Sequence, residues 1–200
     1  MALTKSDALI DEWAEVAQNA VREGAAYDIS GVYLAITLHI EMGISSITAH
    51  TGTKIAVHVS GATSGDEDWT TLTEFIGPTG TAALTVFDAA EAGGQTVLSV
   101  AGTTGFETDE TSWIFLEDTT EVAKSELALL VDFVNNDTLT VLDGITNAKT
   151  TDSQAFSIAD NYVVELPMST YRARVVYDNT FDSNGATVHT RTSISKVTSI

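Results

Sequence analysis

The sequence predicts a mainly β protein: an antiparallel β-sandwich or jelly-roll-like body with an N-terminal amphipathic helix. Three observations predict it. Thr is the commonest residue and usually stands between Val, Ile and Leu, side chains that fit a pleated, half-buried surface better than a helix. Apolar and polar residues alternate with period two in several runs after residue 32. Turn signals built on Gly, Asn and Asp recur along the chain, while Pro occurs only 2 times.

The first element is read as the helix. In "SDALIDEWAEVAQNAVREG", Leu9, Ile10, Trp13, Val16, Ala17, Ala20 and Val21 recur at spacings of three and four. Ser6 or Thr4 is placed to cap it and Gly24 to end it, with Asp7, Asp11 and Glu12 near the start and Arg22 near the end, as the helix dipole favours. Its apolar stripe either covers the protein's own core or docks on a neighbouring subunit through Leu9, Ile10 and Trp13.

After "AAYDISG" the period changes. "VYLAITLHIEM" sets Leu34, Ile36, Leu38, Ile40 and Met42 against Tyr33, Ala35, Thr37, His39 and Glu41, the mark of a long strand. "KIAVHVS" repeats the pattern with Ile55, Val57 and Val59 inward. Further strands are expected at "TLTEFI", "ALTVFD", "TVLSVA", "SWIFLE", "LALLVDFV", "TLTVLD", "YVVELP", "YRARVVY" and "VHTRTSISKV". "EVAKSELALLVDF" reads equally as a helix. Asn184-Gly185 is expected to close a hairpin between the last two strands. The organisation that follows is a helical arm over 1–26 and a sandwich domain over 27–200, with neither linker nor repeat.

At 200 residues a chain buries roughly 70% of its unfolded surface, enough for a substantial core. The formal net charge of −19 argues against binding nucleic acid phosphates or anionic membranes over the whole surface. No apolar run has signal-peptide or membrane-spanning length. With 0 Cys there is no disulfide and no thiolate chemistry.

Charge is also unevenly placed. Residues 171–200 hold four basic and two acidic residues, net +2, against −21 for the rest. "YRARVVY" sets Arg172 and Arg174 on one side of a strand, and Arg191 follows on the next with His189, Ser193 and Ser195. Paired as a hairpin, the three arginines form an outward basic stripe that meets an acidic surface on another copy or an underlying shell protein. The alternative is that they neutralise the protein's own carboxylates.

Enzyme motifs are absent: no G-x-S-x-G, H-E-x-x-H, P-loop or dinucleotide fingerprint occurs, and no cofactor is implied. His39 and His58 would approach each other if their strands paired, but a metal site needs a third ligand. "SGDEDW" (Asp66, Glu67, Asp68) and "DNTFDSNG" (Asp178, Asp182, Asn184) raise a calcium question without the spacing of a calcium loop. The adjacent acids Asp109 and Glu110, and Glu117 and Asp118, read as solubility rather than glycosidase pairs. Trp69, Trp113, Phe75, Phe106, Phe115, Tyr33 and Tyr177 are scattered over many strands and read as core or rim rather than a sugar platform.

"ISSITAHTGTKIAVHVSGATSGDEDWTTLTEFIGPTGTA", "AGTTGFETDETSWIFLEDTT" with "SE" after it, and "VVYDNTFDSNGATVHTRTSISKV" resemble structural proteins of tailed-bacteriophage virions and prophages, over about 27–197. The resemblance implies a non-enzymatic β-sandwich subunit present in many copies. Its expected role is capsid decoration or cement, with tail or connector protein and a carbohydrate- or receptor-binding module as alternatives. Expected partners are other virion proteins, the major capsid protein or tail proteins, with no nucleic acid and no membrane. The expected location is the virion, after synthesis in the host cytoplasm.

Overall fold

The computed structural model describes residues 3–29, 31–62, 68–108 and 112–199. The chain begins with β1 (Leu3–Val16), β2 (Val21–Glu23), β3 (Tyr27–Asp28), β4 (Ala35–Ile44), β5 (Lys54–Ser60) and β6 (Thr70–Ile76). A second body follows, made of β7 (Leu84–Val86), β8 (Val97–Ser99), β9 (Trp113–Glu117), β10 (Glu126–Val134), β11 (Thr138–Val141) and β12 (Gln154–Phe156). The chain then returns to the first body through β13 (Ala159–Glu165), β14 (Arg172–Asp178) and β15 (Val188–Ser199). Every ladder among the described residues is antiparallel.

Two sheets face each other in the first body. One has the order β1-β15-β4-β13, the other β2-β14-β5-β6, with β3 also on β14. Alternation dictates what lies between them: Ile36, Leu38, Ile40 and Met42 of β4 meet Ile55 and Val57 of β5 and Ala173, Val175 and Tyr177 of β14. Burying each large aliphatic side chain stabilises by about 1.5–3 kcal/mol. Tyr177 is fully buried, its hydroxyl bonded to Thr192 Oγ1, and the desolvation raises its pKa.

The second body is a six-stranded sheet, β7-β12-β9-β10-β11-β8, inserted between β6 and β13. It curls until its edges meet at a Phe87–Val100 bridge. Side chains fill its interior, as in small barrels, with Phe87, Leu98, Ile114, Leu116, Leu130 and Leu139 all buried. Lys149 is fully buried; its ammonium lies 2.9 Å from Glu126 Oε1 and donates to the Lys124 carbonyl at 2.6 Å. Glu126 in turn accepts the backbone N–H groups of Thr146 and Asn147.

The expected N-terminal helix is a strand. Residues Leu3–Val16 pair with β15 from Leu3 opposite Ser199 to Val16 opposite Val188. The helical spacing came from two irregularities: Ile10 is an extra residue in the ladder, and Glu12 and Trp13 together oppose Arg191. Each such bulge shifts the period of two, so Ile10, Trp13 and Val16, three apart, are all covered. The ambiguous "EVAKSELALLVDF" resolves into a single 3-10 turn, Val122–Lys124, followed by β10.

The hairpin expected at Asn184-Gly185 is also corrected. Gly185 does adopt a positive φ of 87°, but the connection carries the chain from β14 in one sheet to β15 in the facing sheet. A hairpin is precluded because β5 and β2 already occupy both sides of β14.

Candidate assembly surfaces

The apolar residues expected to meet a partner fall in three places. Leu9 is 45% exposed, on the side of β1 away from the sandwich core. Ile10 packs against that core, and Trp13 is 5% exposed at the joint with the barrel, its ring 5.0 Å from Phe115. Of the three, Leu9 alone presents a large apolar surface.

The arginine stripe does not form, because β14 and β15 lie in different sheets. Arg172 and Arg174 share the outer face of β14 and stack their guanidinium groups against Trp69, 4.9 and 4.6 Å from the ring centre. They also reach Asp28 at 3.2 Å and Glu23 at 3.1 Å. Arg191, on the other sheet, pairs with Glu41 at 2.8 Å. Five further cations, Lys5, Arg22, Lys54, Lys124 and Lys149, each lie beside a carboxylate. Lys196 donates to the Tyr27 hydroxyl at 2.9 Å and lies against the Tyr27 and Tyr33 rings. All 9 Lys and Arg side chains are thus engaged within the fold, and the surplus surface charge is acidic.

His39 and His58 stay apart, since β4 and β5 belong to facing sheets. Histidine and carboxylate do converge in two other places. His50 Nδ1 is 3.6 Å from Asp182, and its Nε2 is 3.1 Å from Thr53 Oγ1, which donates to Asn179 Oδ1 at 2.8 Å. The residue types are those of a nucleophile, base and orienting acid. Thr53, however, is fully buried, and both partners of the His50–Asp182 pair have fully buried side chains, which leaves a substrate no approach. The network instead ties the loop after β4 to the 179–187 connection. Desolvation lowers the His50 pKa although Asp182 opposes it.

The second pair sits at the joint between sandwich and barrel. His189 Nε2 is 3.3 Å from Glu117 Oε1, and its ring lies 5.2 Å from Phe115. Burial pushes His189 down to about 4, while burial and then the charge of Glu15 push Glu117 up. Neither of these histidine–carboxylate groups was legible in the sequence, because their members are more than 70 positions apart and no local motif links them.

Of the calcium candidates, Asp66 and Glu67 lie outside the described residues, as do Asp109 and Glu110 of the acid pairs. Asp178 spends its carboxylate on Thr180, and Asp182 accepts from Thr51 and Ala186. Burial opposes ionisation of Asp182, but those hydrogen bonds outweigh it and hold its pKa below the ordinary value. No cluster of three metal-ligating side chains occurs among the described residues.

An apolar groove runs along one side of the sandwich, where the outer strands of both sheets, β6 and β13, lie together. It is lined by Leu72, Phe75, Tyr162, Val163 and Val164. The rings of Phe75 and Tyr162 meet beneath it, tilted, with centres 4.5 Å apart, and Val163 is 59% exposed. The opposite side is closed: Asp11 of β1 accepts the Ala25 N–H and lies 3.7 Å from Arg22 of β2.

No family model matches the chain, and no curated protein matches it. Among solved structures it is similar to the infectious bursal disease virus Gx strain, with 9% identity over 98% of this chain and 42% of that one, at a TM-score of 0.27. For the Gt strain of that virus the identity is 9%, over 97% and 40%, at a TM-score of 0.26. For the virus's VP2 subviral particle it is 10%, over 98% and 41%, at 0.24. The chain spans about two-fifths of the length of those chains. Likenesses at this level carry no argument about fold or function.

Proposed function

We propose that the chain is a non-enzymatic structural subunit of a virion, and within that class a capsid decoration protein present in many copies. The observation that supports it most is the contrast between its sites: both histidine–carboxylate groups are sealed, while uncovered apolar surface lies along a pair of sheet edges. An enzyme needs its catalytic side chains open to a substrate, and here they are closed off. The resemblance of several stretches to tailed-phage structural proteins supplies the virion setting. The partners proposed are the major capsid protein and further copies of this chain, assembled after synthesis in the host cytoplasm. Weak contacts suffice for such a role, because many of them act together.

The test is antibody or gold labelling of purified particles, read by electron microscopy. Label spread over the capsid shell is the expected outcome. Label confined to the tail or neck would replace decoration with a tail or connector role, and binding of the isolated protein to a glycan array would favour the receptor-binding alternative.

A further inference from the structure

We propose that two copies of the chain associate through β13, edge to edge about a two-fold axis centred on Val163, to make one continuous sheet of eight strands. The proposal names the contact for the self-association that the virion reading calls for, and it rests on that reading for purpose only; its structural case is the edge itself.

The four outer positions of the sandwich sheets are unlike one another. β1 is interrupted by two bulges and carries Lys5, Asp7, Asp11, Glu12 and Glu15. β6 is bulged where its register on β5 shifts at Val57/His58, and β2 is only 3 residues long. Bulges, charges and short length are the devices that keep sheet edges from pairing with other chains. β13 lacks bulges, Lys, Arg and Pro: its 7 residues pair with β4 without a shift, and Val163 at its centre is 59% exposed.

The hydrogen-bond phase fixes which groups face outward. Ile44 N–H donates to the Ile158 carbonyl and Leu166 N–H to the Ile36 carbonyl. Bonded pairs alternate along an antiparallel ladder, so Asp160, Tyr162 and Val164 turn their backbone groups to β4. Asn161, Val163 and Glu165 turn theirs away from the sheet. The Asn161 N–H confirms the phase: it is held by Asp160 Oδ1 at 2.8 Å instead of by β4, and Asp160 must turn aside for pairing.

Two-fold pairing requires outward groups to meet outward groups. Centred on Val163, the register sets Val163 against Val163 of the second copy and each Asn161 against Glu165. The amide of Asn161 then faces a carboxylate, and no acid opposes an acid in spite of the net charge of −19. The same docking covers Tyr162 and Val164 in the groove with their counterparts. Pairing two copies through β1 would instead bring several carboxylates together.

The experiment uses the full chain. Sedimentation or light scattering over about a hundredfold range of concentration is expected to show a reversible dimer. Val163→Pro removes only an outward N–H, a change that edge strands accommodate, and is expected to weaken the dimer about tenfold or more while circular dichroism stays unchanged. Because the chain has 0 Cys, crosslinking reads the register. Bonded partners have Cα atoms about 5.5 Å apart, within disulfide reach, so oxidised Val163→Cys is expected to yield a covalent dimer and Asn161→Cys is not. A wild-type monomer at every concentration overturns the proposal, as does equal crosslinking by both cysteine variants. If Val163→Pro fails to fold, the cysteine pair decides alone. A monomer in solution sinks this contact and leaves the virion reading to the labelling of particles.

Discussion

The ring of Phe115, on the barrel, lies directly against Gly43, on the sandwich: a Cβ at position 43 would overlap the ring. Here the two bodies touch, and the missing side chain is what lets Phe115 reach Trp13 and His189 at once.

Gly43→Ala is therefore expected to destabilise by about 1–3 kcal/mol through overpacking, and Phe115→Ala by about 3–5 kcal/mol through the cavity it leaves. Urea unfolding measures both. The double variant is expected to cost clearly less than the sum, because removing the ring relieves the overlap; simple additivity would show that the joint is not tight.

The first strand is expected to behave as part of the fold. Trp13→Ala should cost about 3–5 kcal/mol, whereas Leu9→Ala, at a half-exposed site, should cost less than about 1 kcal/mol. Deleting residues 1–16 uncovers the full edge of β15 and removes Val16 from the core, so the remaining chain is expected to lose cooperative unfolding. A truncated chain with an unchanged melting temperature would show that β1 is a detachable arm.

Breaking the buried ion pair of the barrel is a third test. Lys149→Met leaves Glu126 without its cation and is expected to cost about 3–5 kcal/mol, with much of the loss recovered in Lys149→Met/Glu126→Gln. Denaturant unfolding of the single and double variants checks it.

Stability should fall as the solution is acidified, and His189 sets one limb of that fall. Its pKa drops from 6.5 in the unfolded chain to about 4 when buried. Between those values the unfolded chain binds a proton that the folded chain refuses, so stability is lost as pH falls from 6.5 to about 4 and then levels off. The loss amounts to roughly 3 kcal/mol. His50 is lowered too and adds to it; Glu117, raised by burial, takes up its proton more readily when folded and offsets part of it. His189→Gln is expected to flatten the dependence of the urea midpoint on pH in that window, and an unchanged slope would show that His189 does not titrate on unfolding.

Strands with clear alternation were readable from sequence: β14, and β4 as far as Met42, bury every second residue, as Val175 and Leu38 foretell, and β5 turns Ile55, Val57 and Val59 to the core as its pattern implies. β1 was not, because bulges convert a period of two into spacings of three that imitate a helix. Nor was the fate of the arginines. That Arg172 and Arg174 face one way is a local fact, but their acids, Asp28 and Glu23, lie about 150 positions away and their separation from Arg191 depends on which sheet each strand joins. The open edge at β13 was invisible for the same reason: an edge is defined by the neighbour a strand lacks.

The pairing of Leu3 with Ser199 orders events during synthesis. The barrel is continuous in the chain and can close as soon as residue 158 has left the ribosome. The sandwich cannot: β4 waits for β13 and β15, β5 for β14, and β1 for the last residues described. Until then only β5 and β6 can pair, the other sandwich strands wait with their aliphatic faces open, and the barrel is expected to be the first part to become resistant to protease.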